Sequence, residues 1–395
     1  MRFLYACFIS NSMQYSGILK KVAGQTNGAA QLGYEAEYTY VDEESVTLST
    51  GAGLIRKPLP PGLRWRAQKQ AITDKICEFI AAGNYDVVYI KGFLTSPYDL
   101  QIAKSAKAAK KTCRVIFEIA TYPYRGEYRR FLKADMRARN LRSLAGHMLE
   151  IFQHGITVPR IKKQVDVLAV FGAPVKKVWG IPAINVDNGV SVDKIDLRRS
   201  TSPAAGADIA LLGVIGTSIA HGYSRILDGL AAYEKSRSST DPQISFNIVG
   251  QNETIAELKA QAANLQITEK VHFLGYKNSD ELAKLYDDND SAVSCLGEYK
   301  VGLTHLSPIK SREYCAAGVP FLYAYEDSLL NAETSFALKF SNDATPIDMN
   351  TVVDFVQRCR KDPSIAKQER LFAEQNYDWK IIMKQVLDFA ASAQK

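Results

Sequence analysis

Short apolar runs alternate with amphipathic stretches from the first residue onward, and that alternation restricts the chain to βα units built around mainly parallel sheets. Runs over 3–9, 37–41, 86–90, 114–119, 165–169 and 179–186 read as strands, with helical periodicity over 17–32, 66–82 and 98–110 between them. Asp187-Asn188-Gly189-Val190 is turn chemistry, and 197–208 is rich in Ser, Pro, Gly and Ala without periodicity, so a first domain ends near residue 190. The alternation then restarts, with strands over 209–215, 244–249, 270–274, 291–295 and 320–323 and helices over 223–235, 254–264, 279–287 and 309–316. Trp379, Ile381, Ile382, Val386, Leu387 and Phe389 then recur at helical spacing over 377–390, a helix able to pack across both domains.

The expected fold class is therefore α/β, with two Rossmann-like domains facing a central cleft. The first domain covers 1–189, the second 190–376, and a final helix over 377–395 crosses back to the first. A length of 395 residues suits two cores better than one. With 46% hydrophobic and 23% charged residues and no low-complexity tract, the composition is that of a folded chain. The six cysteines form no CxxC pair and no Cys/His cluster at zinc spacing, so they read as buried thiols of a reducing compartment and no metal site is expected. No apolar run approaches the roughly 18 residues of a membrane span, and the expected location is cytoplasmic. A net charge of +7 favours anionic partners.

Candidate chemistry gathers where strands end. In the first half, strand 3–9 runs into a loop holding Tyr15, Ser16 and Gly17 at a helix start, where backbone amides can approach a ligand. In the second half, strand 209–215 leads into Gly216, Thr217, His221 and Gly222, with Arg225 on the following helix. Glycines, a hydroxyl, an imidazole and a guanidinium beside a helix start suit a diphosphate. Gly250 and Tyr276 follow later strands. The richest stretch, 296–320, brings Gly302, Leu303, Thr304, His305 and Ser307 before Pro308 opens a helix carrying Lys310 and Glu313 on one face. A cation for phosphates and a carboxylate for ribose hydroxyls is the pair a nucleoside diphosphate requires.

The segment SPIKSREYCAAGVPF at 307–321 resembles the signature of GT-B glycosyltransferases of the family 4 type, in which Pro-x-Lys-x-x-Glu precedes Ala-x-Gly-x-Pro. The likeness extends in order through Asn188-Gly189-Val190, His221-Gly222-Tyr223 with Arg225, and Val271-His272-Phe273-Leu274-Gly275-Tyr276. The first half is similar mainly at the Gly17 loop and at 117–124, which look like bacterial capsule and exopolysaccharide members. The resemblance implies that Glu313 holds the donor ribose, Lys310 and the Thr217 to Arg225 region the diphosphate, Tyr276 the base, and Gly302 to Ser307 the sugar. Two positions depart from the pattern: His305 stands where the first glutamate of E-x7-E falls, and His221-Gly222 replaces the usual Lys-Gly.

The implied activity is a retaining hexosyltransferase acting without a metal in polysaccharide biosynthesis. No cofactor is tightly bound; the co-substrate is a nucleoside-diphosphate sugar, a UDP-sugar before a GDP-sugar, and the acceptor a glycan or lipid-linked glycan. On the acceptor side Glu118 and Tyr122 are polar candidates, and Glu127 is the candidate acid or base, with His305 a second catalytic candidate. A sugar-nucleotide epimerase or hydrolase, or a non-catalytic transferase-like subunit, are the alternatives. The stretch 125–150 has seven Arg and Lys against three acids and reads as a basic amphipathic helix able to contact an anionic membrane at the inner face of the cell membrane. No nucleic-acid reader motif accompanies the charge, so nucleic acid is not an expected partner.

Overall fold

The computed structural model describes residues 1–12, 15–199, 208–216 and 220–393, apart from the side chains of Ser16, Glu127 and Arg130. The chain divides into two compact units, Met1–Ser191 with Asp378–Lys395, and Val192–Tyr377.

In the first unit, β1 (Arg2–Ala6), α1 (Ser16–Gln31), β2 (Glu35–Asp42), β3 (Ser45–Thr50) and β4 (Gly53–Pro58) are followed by α2 (Trp65–Gly83), β5 (Val87–Gly92), α3 (Pro97–Ala109) and β6 (Arg114–Tyr122). Then come α4 (Arg125–Arg137), α5 (Leu141–Ile161), β7 (Val167–Gly172), β8 (Lys177–Val178) and β9 (Ile181–Asn185). They form one nine-stranded sheet in the order β4-β3-β2-β1-β5-β6-β7-β9-β8. The strands from β2 to β9 across its centre pair in parallel, and β1, β5, β6 and β7 are apolar on both faces because helices cover both. Local signals set the helix starts. Ser96 and Asp99 form a reciprocal capping box at α3, with Pro97 in its first turn.

The strand expected over 179–186 begins only at Ile181, because Trp179 and Gly180 form a turn with positive φ after β8, and two longer segments also depart from the sequence expectation. The stretch 45–58 forms an antiparallel meander, β2 with β3 and β3 with β4, rather than a connection. The basic segment 125–150 is not one helix. It breaks at 138–140, where Arg139 takes φ +53°, and Asn140 restarts the helix by accepting from the Ser143 N–H.

The C-terminal α-helix of the chain (Trp379–Ser392) lies on α1 of this unit. Its Trp379, Ile382, Met383 and Val386 join Phe3 and Tyr5 in a buried cluster. Gly24 and Gly28 make room: a Cβ on Gly24 would fall 2.3 Å from the Trp379 indole nitrogen, and one on Gly28 2.5 Å from its carbonyl oxygen.

The second unit runs β10 (Ile209–Val214), α6 (Ser224–Ser236), β11 (Ile244–Val249), α7 (Thr254–Asn264), β12 (Val271–Gly275), α8 (Ser279–Asp288) and β13 (Ser291–Val293). It continues with α9 (Ile309–Ala317), β14 (Phe321–Tyr323), β15 (Ala337–Lys339), α10 (Met349–Lys361) and α11 (Ile365–Asn376); the C-terminal helix is α12. Its six strands pair in parallel in the order β12-β11-β10-β13-β14-β15. The chain winds outward from β10 in one direction and from β13 in the other, so strand order reverses between them. Open α/β sheets offer their ligand crevice at the carboxyl ends of such a pair. In the first unit the same reversal falls between β1 and β5.

Candidate donor site

The carboxyl end of β10 continues through Ile215 and Gly216; Thr217 lies outside the described residues. Beyond it, Ala220, His221 and Gly222 lead into α6. This turn packs backbone to backbone on the segment leaving β13. The Leu296 N–H donates to the His221 carbonyl at 2.9 Å, and the Gly297 N–H to the Ala220 carbonyl at 3.2 Å. Gly222 has φ +69°, and a Cβ there would lie 2.4 Å from the Gly297 nitrogen. Gly222→Ala therefore carries both left-handed strain and a clash with main chain that has nowhere to go. It is expected to destabilise this unit by about 2 to 4 kcal/mol, read by denaturant titration; a loss below about 0.5 kcal/mol would show that the two turns are not locked.

Lys310 reaches this turn from the start of α9. Its Nζ lies 2.8 Å from His221 Nδ1 and donates to the Val214 carbonyl at 3.2 Å and to the Tyr223 hydroxyl at 3.3 Å. His221 Nε2 accepts from the Gly216 N–H at 2.9 Å. Burial, and then the neighbouring Lys310, push the imidazole's pKa down to about 2, so His221 is neutral. Burial likewise pulls Lys310 below an ordinary lysine, opposed by Cys295 and Glu298. A neutral imidazole has one acceptor nitrogen, so the Gly216 amide and the Lys310 ammonium compete for it. Positive charge therefore stands at the end of β10 although residue 221 is not a lysine.

Other expected residues are placed differently. Arg225 is 2% exposed, and its guanidinium is spent on the main chain, donating to the carbonyls of Leu296 at 2.7 Å and Thr345 at 2.6 Å. It clamps two loops instead of presenting charge at the turn. Gly250, with φ +108°, sits where a Cβ would meet the Ile215 carbonyl at 2.2 Å, so it lets β11 close on β10. Tyr276 is 67% exposed just past β12. Gly302, φ +71°, ends a short 3-10 turn over Glu298–Val301, and the Leu303 N–H donates back to the Glu298 carbonyl. Thr304 is exposed with its hydroxyl 3.1 Å from His305 Nδ1, while the Leu306 N–H and Glu326 tie the loop to the end of β14. Ser307 is buried and Glu313 half-buried, one turn along α9 from Lys310. Tyr223, named from sequence only as part of the likeness, belongs to this assembly, as do Glu298 and Gly297, which were not singled out; Gly297, just past a strand end, is the residue whose position could have signalled it.

The triplet Asp288-Asn289-Asp290 has the Asp-x-Asp form. It is structural: Asp290 Oδ1 takes the Arg360 Nε–H at 2.7 Å and Oδ2 the Ala210 N–H at 2.9 Å. Among the described residues no group of three or more His, Cys, Asp or Glu is placed to hold a metal ion.

In the first unit a cavity of about 370 Å³ opens at the ends of β1 and β5, lined among others by Phe8, Lys69, Lys91, Phe93, Asp99 and Tyr128. None of these was picked out from sequence. Of the residues that were, Tyr15 caps the start of α1 and Gly17 lies in its first turn, both exposed, and Tyr122 is half-buried against the Tyr124 ring. The side chains of Ser16 and Glu127 lie outside the described residues. Glu118 is no acceptor contact: its carboxylate is 0% exposed and holds Lys21 at 3.1 Å and Lys91 at 2.8 Å, with the Tyr5 and Tyr89 hydroxyls donating to its other oxygen.

Residues 222–327 match the family model for glycosyl transferases group 1, a span that begins just after His221 and holds Arg225, Gly250, Tyr276, Lys310 and Glu313. The whole chain has the GT-B glycosyltransferase fold. It is similar to the apo form of the lipopolysaccharide outer core galactosyltransferase WaaB, with 11% identity, TM-score 0.58 and 99% of each chain covered. It is similar to a trehalose-6-phosphate protein from E. coli bound with UDP-2-fluoro glucose, with 11% identity, TM-score 0.60 and 99% of each chain covered. A trehalose-6-phosphate synthase studied for glycosyltransfer with retention matches at 12% identity, TM-score 0.57 and 99% of each chain. No curated protein sequence matches the chain.

Proposed function

We propose that this protein is a retaining hexosyltransferase that moves a sugar from a nucleoside diphosphate, UDP before GDP, to a glycan or lipid-linked glycan acceptor in bacterial-type surface polysaccharide synthesis. The observation that carries the reading is the meeting of Lys310, His221 and the Gly216 amide at the β10–α6 turn, at the strand reversal, with Lys310 inside the span 222–327 that matches group 1 transferases and His221 immediately before it. A diphosphate oxygen entering there accepts from whichever N–H the competition for His221 leaves unpaired, and Lys310 neutralises charge developing on the leaving group. Glu313 on the same helix is the proposed ribose ligand, Tyr276 the base contact, and the loop from Gly302 to Ser307 the sugar cradle. The cavity of the first unit, with apolar walls and Lys69 and Lys91 at its edge, is the proposed acceptor site.

Support for the finer choices comes from the neighbours. One is bound with UDP-2-fluoro glucose, one acts on lipopolysaccharide outer core by its name, and one was studied for transfer with retention. A lipid-linked acceptor places the reaction at the cytoplasmic face of a membrane. The test is a thermal-shift series with UDP-, GDP-, ADP- and TDP-sugars, each followed by mass spectrometry for donor turnover with added acceptors. A donor at 100 times its Kd adds about 2.7 kcal/mol by mass action, a rise of several degrees. No shift with any of the four classes would overturn the reading.

A further inference from the structure

Helix α5 has two faces, and the fold uses only one of them. Inward, Thr157 and Ile161 are buried, His154 meets the Thr95 hydroxyl at 2.9 Å, and Glu150 accepts from the Tyr128 hydroxyl at 2.9 Å. Outward, Leu141, Ala145, Met148, Phe152, Ile156 and Pro159 follow one another at steps of three and four residues, and all are exposed. Leu141 is 75% exposed and Phe152 64%. This stripe runs from Leu141 to Pro159, about 27 Å of helix. Of the fourteen large apolar side chains exposed among the described residues, six fall between Met136 and Ile156, so the patch is concentrated and not part of an even scatter.

The charge around it has one sign. Arg142 and Arg160 lie 18 residues, five full turns, apart, and so flank the stripe on the same side near its two ends. Arg137, Arg139, Lys162 and Lys163 are also exposed at its ends. The acids nearby are turned to other work: Asp135 lies 2.6 Å from His147 Nδ1, and Glu150 is held by Tyr128.

We propose that α5 seats the protein in the plane of an anionic lipid surface. The stripe around Met148 and Phe152 lies at the boundary between headgroups and acyl chains, and Arg142 and Arg160 reach lipid phosphates. Basic side chains flanking an apolar helix face are complementary to such a surface. A second copy of the chain fits less well, because a two-fold pairing of this face sets Arg142 opposite the partner's Arg160. Among the described residues no helix is long and apolar enough to cross a membrane, so the contact lies in the interface. This reading is independent of the donor site.

The test is flotation of the full chain with vesicles of phosphatidylcholine alone and with about 30% phosphatidylglycerol added. Flotation is expected with the anionic vesicles, weakened by salt. Met148→Ser with Phe152→Ser should reduce binding at least about tenfold. Arg142→Gln with Arg160→Gln should remove the preference for the anionic lipid. All four positions are exposed, so melting temperatures should not move, and light scattering reports any self-association. The proposal is overturned if the native chain does not float, if the serine variant floats equally, or if that variant only dissolves a dimer.

Discussion

Replacing Lys310 with Met is expected to lower kcat/KM for sugar transfer by roughly 100- to 1000-fold, the loss that follows removal of one preorganised group facing developing negative charge. Met keeps most of the apolar stem and removes the ammonium. The Nζ is desolvated and meets His221, Tyr223 and a carbonyl, and among the described residues no carboxylate stands in direct ion-pair contact with it. Its removal should therefore leave the melting temperature unchanged or slightly higher, which separates a role in chemistry from a role in folding. Burial lowers its pKa, and the working form is the charged one. Activity of the native chain should accordingly decline with rising pH before an ordinary lysine would titrate. Nucleotide affinity measured by calorimetry should fall with the rate, because a diphosphate present in both ground and transition states loses a counter-charge in both. A variant that keeps turnover within threefold of the native rate would remove Lys310 from the site.

How far such a site can be read beforehand depends on how local its causes are. The central strands were legible because parallel strands covered on both faces are apolar runs, as Phe3 to Ala6 and Val87 to Ile90 show. The β3 strand was not, because its buried positions include Thr47 and Ser45, polar residues satisfied by Asp42 and by each other. The break inside 125–150 has no glycine or proline to announce it; Arg139 takes the left-handed turn. At the donor site, order and spacing pointed to His221 and Lys310 separately, yet they are 89 residues apart and only the fold shows that they touch. Arg225 reads as a phosphate cation until the carbonyls that claim it, from residues 71 and 120 positions away, are in view. Long-range pairing of this kind decides whether a charge faces a ligand or the protein, and neither periodicity nor motif spacing encodes it.

Glu118 is the extreme case, and its replacement should have the largest effect on stability. Glu118→Ala or Glu118→Gln is expected to cost the first unit about 3 to 5 kcal/mol, the usual consequence of leaving buried charge without its partner. Its two oxygens gather Lys21, Lys91, Tyr5, Tyr89 and, at 3.4 Å, the Gln25 amide, from α1 and the two adjacent strands β1 and β5. Burial alone would raise the carboxyl's pKa; the two lysines outweigh it and hold Glu118 well below the usual carboxylate range. Stability from this group is thus fully present above its unfolded value near 4.5 and is lost as pH falls below that. The Gln variant should show a flatter acid limb. It should differ on the alkaline side as well. Burial already draws Lys21 down to about 8 with Glu118 opposing, and without the carboxylate its pKa drops further. The unfolded chain then binds more protons than the folded one through neutral and alkaline pH, so the variant should gain stability as pH rises from 7 towards the unfolded lysine's 10.5. Denaturant midpoints of the native chain and the Gln variant across that range measure both limbs. Parallel curves would mean that the lysines are solvated in the folded state and that Glu118 is not their keystone.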